Sequence, residues 1–138
     1  MSIQRRKPLI LVVNASLNVL NLFHDILDEQ GYEVELSNYA FEGIHTIERL
    51  QPDLLILDFE REGRPEEWQL LKMIRMSEKI AKIPVILCMA PLHIFFDKEE
   101  HFRQKNIRLL FAPMEKDEIL AAVGQMLQST NSASEEEV

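Results

Sequence analysis

The sequence predicts an α/β fold, a five-stranded parallel sheet in the order 2-1-3-4-5 flanked by five helices. Three observations carry the prediction. Short, continuously apolar runs over 9–13, 54–57 and 85–89 read as strands buried on both faces, as parallel strands are. The segments between them carry apolar residues at three- and four-residue spacing, the period of a helix that covers a sheet. Strand and helix alternate five times through short connections, which implies right-handed crossovers throughout.

Taken in order, Leu9-Ile10-Leu11-Val12-Val13 is the first strand, ended by Asn14-Ala15-Ser16. Ser16 is placed to cap a helix over 17–30, whose apolar positions are Val19, Leu20, Phe23, Ile26 and Leu27, and Gly31 suits its left-handed stop. Glu33-Val34-Glu35-Leu36 alternates acid and apolar residues, so one face is wet and the strand belongs at the sheet edge. Ser37 or Asn38 is expected to cap a second helix, with Phe41, Ile44, Ile47 and Leu50 on one face, and Gln51-Pro52 breaks it.

The third strand is the centre of the chain. In Pro52-Asp53-Leu54-Leu55-Ile56-Leu57-Asp58, four apolar residues run into one carboxylate. Asp58 therefore sits at the carboxyl edge of the sheet, where ligands and chemistry collect in open α/β folds. The charged segment 59–67, with Gly63 and Pro65, is a loop at that edge, and a third helix follows through Trp68, Leu71, Ile74 and Arg75. A fourth strand is expected over 83–89, a fourth helix over about 92–104, a short strand over 108–111 and a last helix over about 115–128. An edge-like second strand beside deeply apolar first, third and fourth strands gives the order 2-1-3-4-5 and sets Asn14 opposite Asp58 at the switch point.

With 138 residues the chain suits one domain over 9–128, preceded by a basic leader over 1–8 and followed by an acidic tail over 129–138 that is expected to be disordered. A net charge of −8 argues against a nucleic-acid partner. Arg5, Arg6 and Lys7 precede an apolar stretch too short for a signal sequence or a membrane span, so a cytoplasmic protein without a membrane partner is expected. The lone Cys88 lies in a core strand and reads as an inert buried thiol.

Other constellations point less far. His93, Asp97 and His101 recur every four residues and would share one helix face, a zinc-compatible spacing that reads better as the helix's wet stripe. Trp68 reads as helix-to-sheet packing, and Ile94-Phe95-Phe96 is more apolar than a covering helix needs. A flavodoxin-like cofactor site after the first strand lacks a glycine cradle in Asn14-Ala15-Ser16-Leu17-Asn18. No serine, histidine and acid set supports hydrolase chemistry, and an enzyme is not expected.

Over almost the whole length from Leu9 to Gln128 the chain resembles the receiver domain of bacterial response regulators. The carrying residues are Ile10-Leu11-Val12-Val13, Gly31-Tyr32-Glu33-Val34, the Pro52 to Asp58 run, Ile83-Pro84-Val85-Ile86 and Ala112-Pro113. The resemblance implies a phosphorelay protein in which Asp58 accepts a phosphoryl group from a sensor histidine kinase with the help of Mg2+. It also implies a cis peptide before Pro113. The supporting residues depart from that pattern. The two adjacent acids expected after the first strand are Asn14 and Ala15, and the hydroxyl expected after the fourth is Met89, which cannot donate the hydrogen bond. The switch aromatic is Leu109 and the lysine before the proline is Ala112.

Glu60 is a weak substitute magnesium ligand alongside Asp58 and Asn14, and Arg61 and Arg64 are possible replacements for the lost cation. The expectation is a single-domain pseudo-receiver without an output domain, binding a sensor histidine kinase or another response regulator, with Ile94 the first partner-surface residue to test. Pairing into a homodimer fits the resemblance. The alternative is a working phosphoacceptor at Asp58.

Overall fold

The computed structural model describes residues 7–14, 16–38 and 43–136, the side chains of Gly43, His93, Ile94 and 129–136 excepted. Five parallel strands, β1 (Leu9–Val13), β2 (Glu33–Ser37), β3 (Leu54–Asp58), β4 (Val85–Met89) and β5 (Ile107–Phe111), form one sheet in the order β2-β1-β3-β4-β5. The helices are α1 (Leu17–Glu29), α2 (Gly43–Leu50), α3 (Pro65–Met76), α4 (His93–Phe96), α5 (Glu99–Gln104) and α6 (Lys116–Glu136).

Strand parity divides the core between the two faces of the sheet. Ile10, Val12, Leu54, Ile56, Ile86 and Cys88 face α1 and α6, meeting Leu20, Phe23, Leu27, Ala122 and Val123. Leu11, Val13, Leu55, Leu57, Val85 and Leu87 face the other way, against Ile47 of α2 and Leu71 and Ile74 of α3. This two-sided burial explains the unbroken apolar runs of β1, β3 and β4. β2 alternates exposed and half-buried positions, as its edge position requires.

Local signals set several ends. The Ser16 hydroxyl accepts the Val19 amide at 3.5 Å, and Gly31 takes φ +89° where α1 stops. Ser37 is the last residue of β2, and its hydroxyl donates to the Asn38 carbonyl. The described part of α2 begins at Gly43, and the capping expected of Ser37 or Asn38, like Phe41, falls on a stretch outside the described residues. The peptide before Pro113 is cis.

Two expectations over the later helices need correction. The single fourth helix is two short ones. The Lys98 amide bonds the Phe95 carbonyl in a tightened turn that ends α4, and Glu99 and Glu100 then stand in the first turn of α5, where the helix dipole favours acids. His93, Asp97 and His101 therefore do not share one continuous helix, and no cluster of three metal-binding side chains occurs among the described residues. The tail expected to be disordered from Ser129 is helical to Glu136. Extending a formed helix fixes one residue per hydrogen bond gained, which polar residues tolerate.

Candidate functional site

The sheet order brings the ends of β1 and β3 together. The Asn14 amide bonds back to Ser37, and its side-chain oxygen accepts the Ser16 amide at 2.6 Å. With Oδ1 engaged, Nδ2 points across the switch point and donates to Asp58 Oδ2 at 2.5 Å and to the Asp58 carbonyl at 3.4 Å. Asn14 is thus a donor to the central carboxylate, and its 9% exposure keeps the contact away from solvent.

A second acid reaches the same end of the sheet. Glu67, in the first turn of α3, is only 3% exposed. Its carboxylate accepts the Arg64 amide at 2.7 Å and the Glu60 amide at 3.3 and 3.2 Å to its two oxygens. It supplies one half of a capping box, while the Arg64 side chain has no acceptor with which to supply the other. Glu67 was not among the residues singled out from the sequence. An acid three residues after the helix-capping residue Arg64, with Pro65 opening the helix, was the available signal.

These surroundings shift the titration of both acids. Asp58 is pushed up to about 6, first by burial and then by the charge of Glu67, against the opposing pull of the Asn14 hydrogen bond. Burial also raises Glu67, with the Glu60 charge adding to it, against the pull of the backbone bonds from Arg64 and Glu60 and of the Arg64 charge. Burial raises the Cys88 thiol too, with the Asp58 charge adding to it, so the thiol is held protonated.

The loop between the acids is closely fitted. Phe59 packs edge-on to Trp68 at 4.9 Å between ring centroids, and Trp68 stacks on Phe95 at 5.8 Å and on Phe102 at 6.3 Å. Trp68 Nε1 donates to the Glu62 carbonyl at 2.9 Å. Gly63, at φ +94°, passes so close that a Cβ there would meet Trp68 Nε1, and Phe59 Cδ2 at 2.8 Å. Trp68 therefore packs against this loop, α4 and α5, and not simply as the helix-to-sheet contact expected. The Arg61 carbonyl accepts the Ala90 amide at 3.0 Å, which ties the loop to the end of β4.

The remaining predicted positions fall as follows. Glu60 lies in this loop, but its carboxylate pairs with Arg64 Nη2 at 2.6 Å on the exposed side. Arg64 is thereby engaged with Glu60. Met89 and Leu109 are buried in the core on the α2 and α3 side of the sheet, and Ala112 is exposed with its amide on the Met89 carbonyl. Phe96 is 42% exposed and meets Phe111 edge-on at 5.1 Å; the Ile94 side chain lies outside the described residues.

This donor set does not fit Mg2+. A hard cation needs convergent oxygens. Here the Asn14 oxygen is taken by a backbone amide, its NH2 faces Asp58, Ala15 has no side-chain oxygen, and Glu60 turns to Arg64.

Comparison with known proteins bears on the fold. No protein-family model matches the chain. The DNA-binding dual master transcriptional regulator RpaA of Synechocystis is 28% identical over 124 residues, 90% of this chain and 51% of RpaA, so the chain spans about half of that relative. The signal receiver domain assigned to a LuxO repressor protein of Vibrio parahaemolyticus superposes with a TM-score of 0.78 at 23% identity, covering 96% of this chain and 98% of that one. The chain thus has the fold of response-regulator receiver domains. The chemotaxis response regulator CheY4 of Vibrio cholerae gives 0.72 at 18% identity over 87% of this chain and 98% of CheY4. The anti-anti-sigma factor PhyR of Bartonella quintana gives 0.74 at 16% over 98% of this chain and 53% of PhyR. No helix among the described residues is long and apolar enough to cross a membrane.

Proposed function

We propose that the chain is a receiver-like domain of two-component signalling that acts by binding other proteins, with Asp58 as a structural hydrogen-bond acceptor instead of a phosphoryl carrier. The observation that carries this reading is the Asn14 carboxamide donating to Asp58 Oδ2 at 2.5 Å. Phosphoryl transfer to a carboxylate depends on cations that offset the phosphoryl charge. At this position the chain supplies a neutral amide, with a second acid, Glu67, close by. An effective dielectric near 20 makes each missing charge about 4 Å away a loss of up to about 4 kcal/mol.

The partners on this reading are cytoplasmic signalling proteins, a sensor histidine kinase or another response regulator, or a second copy of the chain. Exposed Phe96 beside Ile94 on α4 is where contact is sought first. The test is intact mass after incubation with acetyl phosphate and Mg2+, with Asp58→Asn as control. No mass gain in a folded protein is expected. A gain of one phosphoryl group in the parent and none in Asp58→Asn would make Asp58 a working acceptor and overturn the reading.

A further inference from the structure

The placement of Glu67 is unusual on physical grounds. This residue is a carboxylate with 3% exposure, whose charge raises the titration of the half-buried Asp58 carboxyl. Like charges brought together away from water oppose each other's ionisation. Its direct hydrogen bonds come from neutral backbone amides, those of Glu60 and Arg64; the Arg64 guanidinium is bonded to Glu60, and its charge favours ionised Glu67 while that of Glu60 opposes it. The amide of Glu60 lies two residues beyond Asp58, in the loop that frames it.

Nor is the side chain free to swing away. Trp68, the next residue, is held by the Glu62 carbonyl and by Phe59, Phe95 and Phe102, and Gly63 fits against its ring with no room for a Cβ. The main chain beside Glu67 is thus held by packing at Trp68, and the carboxylate is held by the Glu60 and Arg64 amides of the loop that follows Asp58.

We propose that Glu67 is an autoinhibitory residue of the Asp58 pocket: its carboxylate occupies backbone amides of the loop that follows Asp58, and its negative charge excludes a phosphoryl anion from the Asp58 carboxylate. The inference rests on the reading of Asp58 given above and names the residue that enforces it. The reaction it opposes, with phosphoramidate as donor, breaks the P–N bond and forms a P–O bond from phosphorus to an Asp58 oxygen, the nitrogen leaving as ammonia. The incoming group adds negative charge beside Glu67, so removing that one charge favours the acyl phosphate.

The experiment compares the full chain with Glu67→Gln, which keeps an acceptor for the two amides and removes only the charge. Each is incubated with phosphoramidate and Mg2+ and followed by intact mass, with Glu67→Gln/Asp58→Asn as control and circular dichroism as the check on folding. A gain of ~10-fold or more in acyl phosphate in Glu67→Gln, abolished in the double variant, is the expected result. Should Glu67→Gln fail to fold, Glu67→Ala is read in its place, alanine being well tolerated in a first helical turn. An uncharged, folded variant that labels no more than an unlabelled parent overturns the inference and leaves the reading of Asp58 standing. A parent that labels as readily as the variant overturns both.

Discussion

Two polar centres lie at opposite ends of α3, and they treat charge differently. Behind its C-terminal end, Arg75 gives Nη1 to the carbonyls of Ala81 at 2.7 Å and Ile83 at 3.0 Å and Nη2 to that of Asn106 at 3.3 Å. One cation there holds together the turns leading into β4 and β5, with only Nε left without a partner among the described residues. At the other end, Asp58 accepts the Asn14 amide and Glu67 accepts two backbone amides, with the charge of Glu67 acting on Asp58. Complementary acceptors make the first centre a structural tie, whereas the second keeps an electrostatic conflict that stability alone does not call for.

The largest effect should come from breaking the tie. Arg75→Met removes the guanidinium from three carbonyls, of which that of Asn106 keeps the Val85 amide, and is expected to destabilise the fold by about 2–4 kcal/mol in urea unfolding. A loss below about 1 kcal/mol would mean that water replaces the guanidinium. The opposite sign is expected at the acid centre. Removing a charge there relieves a conflict, so Asp58→Asn should stabilise the protein by up to about 3 kcal/mol at pH 7.5 in EDTA.

The pH profile sharpens the same point. Asp58 is raised from 3.8 to about 6 in the folded chain, so between those values the folded state holds more protons than the unfolded one. Its contribution therefore favours folding most at low pH, is lost as pH rises from about 4 to about 6, and changes little above that. Urea midpoints for Asp58→Asn should lack this decline. A parent midpoint that rises over the same range relative to Asp58→Asn would refute the shift.

A smaller effect tests the fit of the loop. Gly63→Ala must place a Cβ against Trp68 Nε1 and Phe59 at positive φ, so a loss of about 1–3 kcal/mol is expected, with a change in the emission of the only tryptophan. The smallest belongs to an exposed pair. Lys116 Nζ meets Glu29 Oε2 at 2.9 Å with both side chains about half or more exposed, and Lys116→Met should shift stability by no more than about 0.5 kcal/mol.

Much of the fold is legible in the residues because period alone encodes it. The runs of β1, β3 and β4 have no wet face, β2 alternates, and that contrast puts β2 at the edge and Asn14 across from Asp58. The break between α4 and α5 was not legible. Phe95 and Phe102 keep a helical spacing straight through it, and apolar period does not record where the backbone tightens. Glu67 was missed for a related reason: in sequence it is one of several acids in a charged stretch, and charge predicts a solvated side chain until the loop before it is seen to fold over.

The sequence by itself determined the strand and helix order, the sheet order, the two faces of the core and the meeting of Asn14 with Asp58. Each follows from side-chain period and from rules of chain connection that act locally. Only the tertiary structure decided that Asn14 turns its amide nitrogen to Asp58, that Glu67 points inward and that Arg75 gathers three carbonyls. A hydrogen-bonding group takes whatever partner the path of the chain brings within about 3 Å, and that path is set by packing between residues distant in sequence.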